Sequence, residues 1–296
     1  MSGKHQGHYY IPNGGIDSLI DALVSSAEEA GVEFMSETLV KEIIIENSQN
    51  GLKAIGVKTH NSEEIKADRI ISGVDPKQTF INLVGAHNTE IEFSNRINRL
   101  RSNGYVAKFN LALSSLPSFM GLDSLRGRML IAPTMDSIEF AWDDTKYGDY
   151  SQNPVLDMIV PTLFNPSMAP EGKHILSANI MYIPYQKKGG WSEEDKNELT
   201  EKIIDTISQY STNIRDNILH SELLTPLDLE TEFNLTGGHW HHGELALDQM
   251  LMMRPTYEAA QYRTPIDKLY LCSAGCHPGG GIMGAAGYNA AKEIIK

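Results

Sequence analysis

Cysteine is almost absent from this 296-residue chain, with Cys272 and Cys276 its only two. Their C-x-x-x-C spacing matches neither a thioredoxin-type C-x-x-C pair nor a usual zinc knuckle, so two reduced thiols in a cytosol-like compartment are expected. Positive charge is scarce as well: 25 Lys and Arg stand against 38 Asp and Glu, a formal net charge of -13. A surface that tracks phosphates needs clustered cations, which excludes nucleic acid as an expected partner. No stretch approaches eighteen uninterrupted apolar residues, so no transmembrane segment is expected. The opening MSGKHQGHYYIPNGG lacks the apolar h-region of a signal peptide, and the expected location is cytoplasmic, or the mitochondrial matrix in a eukaryote. One further absence is more pointed. The chain nearly ends in a glycine cluster, CHPGGGIMGAAG, yet no strand, G-x-G-x-x-G turn and helix of the Rossmann kind comes before it.

What is present is ample for a fold. With 41% apolar residues, the chain can bury one large core or two intertwined ones. In NGGIDSLIDALVSSAEEAGVEF the residues Ile16, Leu19, Ile20, Leu23, Ala27 and Ala30 recur at three- and four-residue steps, and Gly31 stands as a C-terminal stop, so the spacing predicts an amphipathic helix. Three β-branched runs follow, LVKEIIIEN, KAIGVKTH and ADRIISGV, separated by Ser48 to Gly51 and by Asn61 and Ser62. They predict a short antiparallel meander and then a buried strand that ends before Asp75-Pro76. From Lys77 to Arg101 one or two helices are expected, with Phe80, Leu83, Ile97 and Leu100 inside. AKFNLALS alternates Ala107, Phe109, Leu111 and Leu113 inward, and VLDMIVP and HILSANIMYIP predict two more strands. Ser192 and Asp195 form a capping-box pattern ahead of a helix that buries Leu199, Ile203, Ile207 and Tyr210. The middle of the chain therefore reads as a mixed sheet with helices on one face. KLYLCSAG predicts a short apolar strand, and Ile282 to Ile295 a closing helix whose N-terminus lies in the glycine run.

That glycine run admits two readings. A helix N-terminus offers unpaired N-H groups and about half a positive charge, and Gly279, Gly280 and Gly281 would let a flat or anionic ligand approach them. The alternative is a turn that packs a helix tightly onto a strand.

The segment TPIDKLYLCSAGCHPGGGIMGAAGYNAAKEI resembles the C-terminal flavin-contacting segment of the phytoene desaturase-like FAD oxidoreductases. YYIPNGGIDSLIDALVSSAEEAGVEF resembles the double-glycine helix of that family's FAD domain, and ADRIISGVDPKQTF, PSMAPEGKHILSANIMYIPY and GGHWHHGELALDQMLMMRP match in order and spacing. The resemblance implies an α/β chain of mixed α+β character, namely a partial FAD/NAD(P)-binding domain of the flavin amine oxidase/phytoene desaturase type with an inserted mixed-sheet substrate domain. Residues 1-80 and 256-296 would complete the FAD domain, and 81-255 would form the substrate domain. The implied cofactor is FAD, with flavin-facing backbone at Gly275, Cys276, His277, Gly280, Gly281, Ile282 and Met283. Val40 falls where the family meets the adenine. Ser273 and GGID (Gly14 to Asp17) depart from the family's usual glycine and GGMG.

The implied activity is oxidation or isomerisation of a C-C bond in an apolar, isoprenoid-like small molecule, with the Rossmann half supplied by a partner chain or the chain acting as a homo-oligomer. A scaffold that has lost its cofactor is the alternative. HWHHGE could place His239, His241 and Glu244 around a metal, but a polar loop beside a substrate cavity, with His242 where relatives carry a histidine, is the expectation, and no metal is assigned. His277 could donate a proton or merely fix the loop. Cys276 invites a redox role, yet the disulfide of flavin disulfide reductases has other spacing. DQMLMMRP could line an apolar tunnel or pack in the core. No catalytic residue is named.

Overall fold

A computed structural model describes residues 11-49 and 51-296. Residues 1-10, which carry the leader reading and the tyrosines of the double-glycine block, lie outside the described residues, as does Asn50. In chain order the elements are α1 (Gly15–Glu29), β1 (Val40–Ser48), β2 (Gly51–Thr59), β3 (Glu64–Lys66), β4 (Ile70–Ser72), a π-helical turn (Gln78–Leu83), α2 (Ile91–Arg99), β5 (Val106–Leu113), β6 (Met129–Ile131) and α3 (Met135–Lys146). They continue with β7 (Val155–Ile159), β8 (His174–Met181), α4 (Glu193–Ser208), α5 (Ile214–Asn217), β9 (Ile218–Leu224), α6 (Pro226–Phe233), β10 (Leu269–Leu271) and α7 (Ala285–Ile294). Two compact units result. One holds the described residues up to Phe34 with Tyr105–Thr225, the other Met35–Gly104 with Pro226–Lys296. These packing boundaries fall elsewhere than the functional ones expected near residues 80 and 255. Phe80, Phe93 and Ile97 share one core with Leu269 and Leu271, so that core runs on past residue 80.

The first unit is built on a five-stranded sheet of order β6-β7-β8-β5-β9. Its central strand β5 alternates strictly, with Ala107, Phe109, Leu111 and Leu113 fully buried. Each of the larger three contributes about 1.5–3 kcal/mol on burial. α4 covers that face with Leu199, Ile203 and Ile207. Its start is the expected capping box, in which the Ser192 hydroxyl accepts from the Asp195 amide and the Asp195 carboxylate accepts from the Ser192 amide, a device that contributes about 1 kcal/mol. All the pairings are antiparallel, where a mixed sheet was the expectation. β6 and β9 have little signature: β6 is three residues long, and the edge strand β9 carries His220, Ser221 and Glu222 in its middle. α1 forms as predicted and ends ahead of Gly31, which takes φ +85°. Its apolar stripe is nevertheless unburied, with Ile16, Ile20 and Leu23 at 45%, 51% and 64% exposure.

In the second unit β1, β2 and β3 form the expected antiparallel meander. β4 pairs in parallel with β10, which requires the chain to return from a distant part of the sequence. The two cores of this pair, Ile70 on one side and Leu269 and Leu271 on the other, join Phe80 and Phe93, whose rings meet edge to face at 4.8 Å. After β4 the buried Asp75 caps the next turn: its Oδ1 accepts from the amides of Lys77 (2.9 Å) and Gln78 (3.1 Å), and its Oδ2 accepts from the Thr236 hydroxyl (2.8 Å).

Gly237 and Gly238 then steer the chain away from α6 with φ of +68° and +65°. A Cβ on Gly237 would overlap the Ser102 carbonyl oxygen, and one on Gly238 would overlap that of Pro226. Gly238→Ala is therefore expected to destabilise the chain by roughly 2 kcal/mol or more. Urea unfolding monitored by circular dichroism checks this, and a midpoint equal to that of the parent would contradict it.

Candidate functional site

β10 ends at Leu271, and a tight loop carries the chain to α7. The Ser273 hydroxyl accepts from the Gly275 amide (3.1 Å), the Ser273 carbonyl from the Cys276 amide (3.0 Å), and the Cys276 carbonyl from the Gly279 amide (2.7 Å). Two of the predicted cofactor-facing amides, those of Gly275 and Cys276, are thus engaged within the loop itself. Gly275 lacks a Cβ because the Pro76 ring lies against it, with Pro76 Cδ 2.6 Å from where a Cβ would stand. The serine that replaces the family's glycine closes the turn. The carbonyl of His277 accepts from the Tyr262 hydroxyl (2.8 Å), which accepts in turn from Asn289 Nδ2 on α7 (2.9 Å). Among the described residues it is the His277 carbonyl, not its ring, that anchors the loop. Burial pushes the Cys276 thiol up to about 12 and raises that of Cys272. Both cysteines are free, and thiols held protonated at neutral pH are poor nucleophiles.

α7 begins at Ala285, three residues later than the sequence suggested. Gly281 and Gly284 take φ of +128° and +61°, values that a right-handed helix excludes. Gly280, Gly281, Ile282 and Met283 therefore form an approach to the helix rather than its first turn, and Ile282 is 76% exposed. From Gly280 through Gly287 no backbone amide donates to an acceptor among the described residues. The last three of these are the free first-turn donors of α7. This continuous run of unpaired N-H groups, added to the positive end of a helix dipole, is a surface suited to electron-rich oxygens.

One buried cation ties this loop to its neighbour. Arg254 is 3% exposed, and its guanidinium donates only to backbone carbonyls: Nε and Nη2 to Ala274 (3.2 and 2.9 Å), Nη2 also to His241 (2.7 Å) and Gly243 (3.3 Å), and Nη1 to Glu244 (3.1 Å) and Gln249 (3.3 Å). A buried cation is tolerated only when its donors are satisfied, and the rigid five-donor fork of arginine can reach several carbonyls at once. Burial lowers its pKa, but a guanidinium stays charged. Gln249 reinforces the arrangement by accepting from the Arg101 amide (2.7 Å) and donating to the Arg101 carbonyl (3.0 Å). Arg254 was not singled out from sequence. The signal was there in MLMMRP, where one arginine sits in an otherwise apolar run.

The HWHHGE segment is a loop, not the strand that would have lined up His239 with His241. Gly237, Gly238 and Gly243 all take positive φ, as does His242 at +57°. The rings of His239 and His241 lie 5.9 Å apart, and among the described residues no group of three His, Cys, Asp or Glu is placed to hold a metal ion. Burial, followed by the nearby His241 and Arg254, lowers the His239 pKa to about 4. His241 is lowered by burial and by Arg254, and His242 by burial against an opposing pull from Asp75. The imidazoles are therefore neutral neighbours of a buried cation. The His241 ring lies against Gly280, where a Cβ would overlap its Nδ1. His242 Nδ1 is buried with no hydrogen-bond partner. Val40 opens β1 on the edge of the meander, paired with Thr59. No hydrogen bond joins it to the glycine loop among the described residues.

The first unit carries a second polar feature that the sequence reading passed over. On the face of β5 opposite its core, Lys108 Nζ donates to Asn179 Oδ1 (3.2 Å), Asn110 Nδ2 donates to Glu222 Oε2 (2.9 Å), and the Ser177 hydroxyl donates to Asn110 Oδ1 (2.7 Å). Lys108 is half-buried, and burial lowers its pKa. An ammonium with one amide partner on a half-buried sheet face gives up its proton more readily than a surface lysine. The polar alternate positions of AKFNLALS were the signal.

A sequence profile described as "Flavin containing amine oxidoreductase" matches residues 1–295. The chain is 35% identical over 303 residues to pyridine nucleotide-disulfide oxidoreductase domain-containing protein 2 of Mus musculus, covering 98% of this chain and 52% of that protein. Phytoene desaturase of Neurospora crassa is 25% identical over 281 residues, covering 92% of this chain and 45% of that protein. The chain thus spans about half the length of the curated relatives it matches. Among solved structures, an oxidoreductase from Methanosarcina mazei superposes with a TM-score of 0.56 at 16% identity, over 97% of this chain and 55% of that one, a likeness of fold. No helix of the described residues is long and apolar enough to cross a membrane.

The depressed His239 pKa makes folding pH-dependent. Below about 6.5 the unfolded chain binds a proton that the folded chain refuses until about 4. Stability from the neutral ring is therefore full above 6.5 and is lost as the pH falls through that window. Urea midpoints are expected to drop on acidification from neutral pH toward 4, and to drop less in His239→Asn. Equal pH slopes for the two proteins would contradict this.

Proposed function

The chain belongs to the flavin containing amine oxidoreductase family, and from that premise we propose that it provides the flavin-contacting loop of an FAD-dependent oxidoreductase of the desaturase, dehydrogenase or isomerase type, acting on an apolar small molecule. The observation that carries this reading is the run of unpaired amides from Gly280 to Gly287. They suit the pyrimidine oxygens of an isoalloxazine ring, and the exposed, glycine-rich approach admits a flat group against the backbone. Bound there, the cofactor would supply a two-electron acceptor for hydride removal from carbon.

The chain's own residues would bind and orient. N-H groups at Gly280, Gly281, Ile282 and Met283 would stabilise negative charge on the ring's carbonyl edge. Gly275 and Cys276 would hold the shape of the loop rather than donate, since their amides are engaged. His277 would fix the turn through its carbonyl. Val40, on the meander edge, would meet the adenine through its backbone. His242, with its partnerless buried nitrogen, would face the substrate side of the same unit.

An apolar substrate is supported by Leu245, Leu247, Leu251, Met252 and Met253, all exposed in the stretch that leads to Arg254. In the first unit the polar sheet face around Lys108 is the surface fitted to meet a ligand or hold a proton. The nucleotide-binding part of the site is assigned to a Rossmann unit outside these residues, in the same protein or a partner chain. The exposed stripe of α1 supports such association, with a second copy as the alternative partner.

FAD titration monitored by flavin fluorescence tests the reading. Saturable quenching is expected, weakened at least about tenfold by Gly281→Val, which puts a β-branched side chain at φ +128° in an exposed position. Unsaturable quenching, or equal affinity in the variant, would overturn the assignment.

A further inference from the structure

The first unit contains a groove of about 480 Å³ beside β6 that plays no part in the flavin assignment. Its volume lies within the range of small-molecule sites. Phe119, Leu125, Met129 and Met158 line it and belong to the buried core of the unit, so the apolar wall is preformed. Methionine lining adapts to an irregular chain. The exposed Met120, Leu122 and Leu130 extend the apolar surface to the rim.

Two arginines border this groove, and they are not equivalent. Arg128 is engaged by Asp157, donating from Nε to Oδ1 (3.0 Å) and pairing a second time through Nη2 and Oδ2. Arg126 is exposed, and no carboxylate pairs with it among the described residues. Its guanidinium carbon rests 5.7 Å from the centre of the Phe164 ring, a contact that orients the fork without occupying its donors. In a chain of net charge -13, one uncompensated cation at the mouth of an apolar groove selects for a single anionic head.

We propose that this groove binds a long-chain carboxylate, its tail against Phe119, Leu125, Met129 and Met158 and its head on Arg126. One planar fork matches the two oxygens of a carboxylate. A doubly charged phosphoester would call for a second free cation, and Arg128 is already paired.

The test uses the full 296-residue chain and the fluorescent probe 11-(dansylamino)undecanoate. Saturable enhancement is expected, reversed by palmitate but not by hexadecanol, which has the same tail and no charge. Arg126→Ala is expected to weaken the probe at least about tenfold, with Arg126→Lys in between and the thermal unfolding curve unchanged, since the side chain is exposed and carries no ion pair. Absence of saturable enhancement, displacement by hexadecanol as effective as by palmitate, or parental affinity in Arg126→Ala would each overturn the proposal.

Discussion

Everything that gives the second unit its candidate site depends on one buried guanidinium meeting backbone carbonyls. The loop after β10 and the histidine loop have no strand or helix pairing to hold them, and their glycines would otherwise leave them free to wander. Arg254 supplies the missing constraint by donating at once to Ala274 on one loop and to His241, Gly243 and Glu244 on the other. Among the described residues no carboxylate shares the task. The carbonyl dipoles alone offset the desolvation of the charge, so loss of the arginine would leave a set of buried acceptors unpaired. With the loops pinned, His241 is pressed onto Gly280, and the amides beyond it are left with no acceptors among the described residues. Burial first, and the nearby cation after it, keep the surrounding imidazoles neutral.

How much of this could be read from sequence varied with the kind of physics involved. Periodicity gave α1, the meander, the inward set of β5 and the capping box of α4, because each is a local consequence of side-chain spacing. β6 and β9 escaped it, one too short to show a period and the other an edge strand whose polar middle hides it. The start of α7 was misplaced by three residues, because glycine backbone angles set that boundary and hydrophobic pattern carries no information on them. The glycine run was found through its composition, whereas Arg254, which acts only through long-range hydrogen bonds, left almost no local trace. At HWHHGE the loop was the expected reading, and the strand that a metal-binding alternation would have needed is prevented by three glycines with positive φ.

The two units differ in the chemistry they make available. One presents backbone donors held rigid by a buried charge. The other presents a polar sheet face around Lys108 and, separately, an apolar groove edged by Arg126. Both designs use a well-packed apolar layer to fix the position of a few polar groups, which is how small-molecule sites usually arise. The stripe of α1 is one part of the fold that this packing leaves uncovered, and in a family whose curated relatives are about twice as long as this chain it is a natural place for further polypeptide to sit.

The central claim is that the unpaired amides from Gly280 to Gly287 are the surface that meets the flavin, and amide hydrogen exchange of that segment with and without saturating FAD addresses it most directly. The account predicts slowed exchange concentrated in Gly280–Gly287 in the parent chain and loss of that protection in Arg254→Lys, whose single ammonium cannot reach both loops. Unchanged exchange in this segment at saturating FAD would contradict it, as would protection that survives intact in the variant.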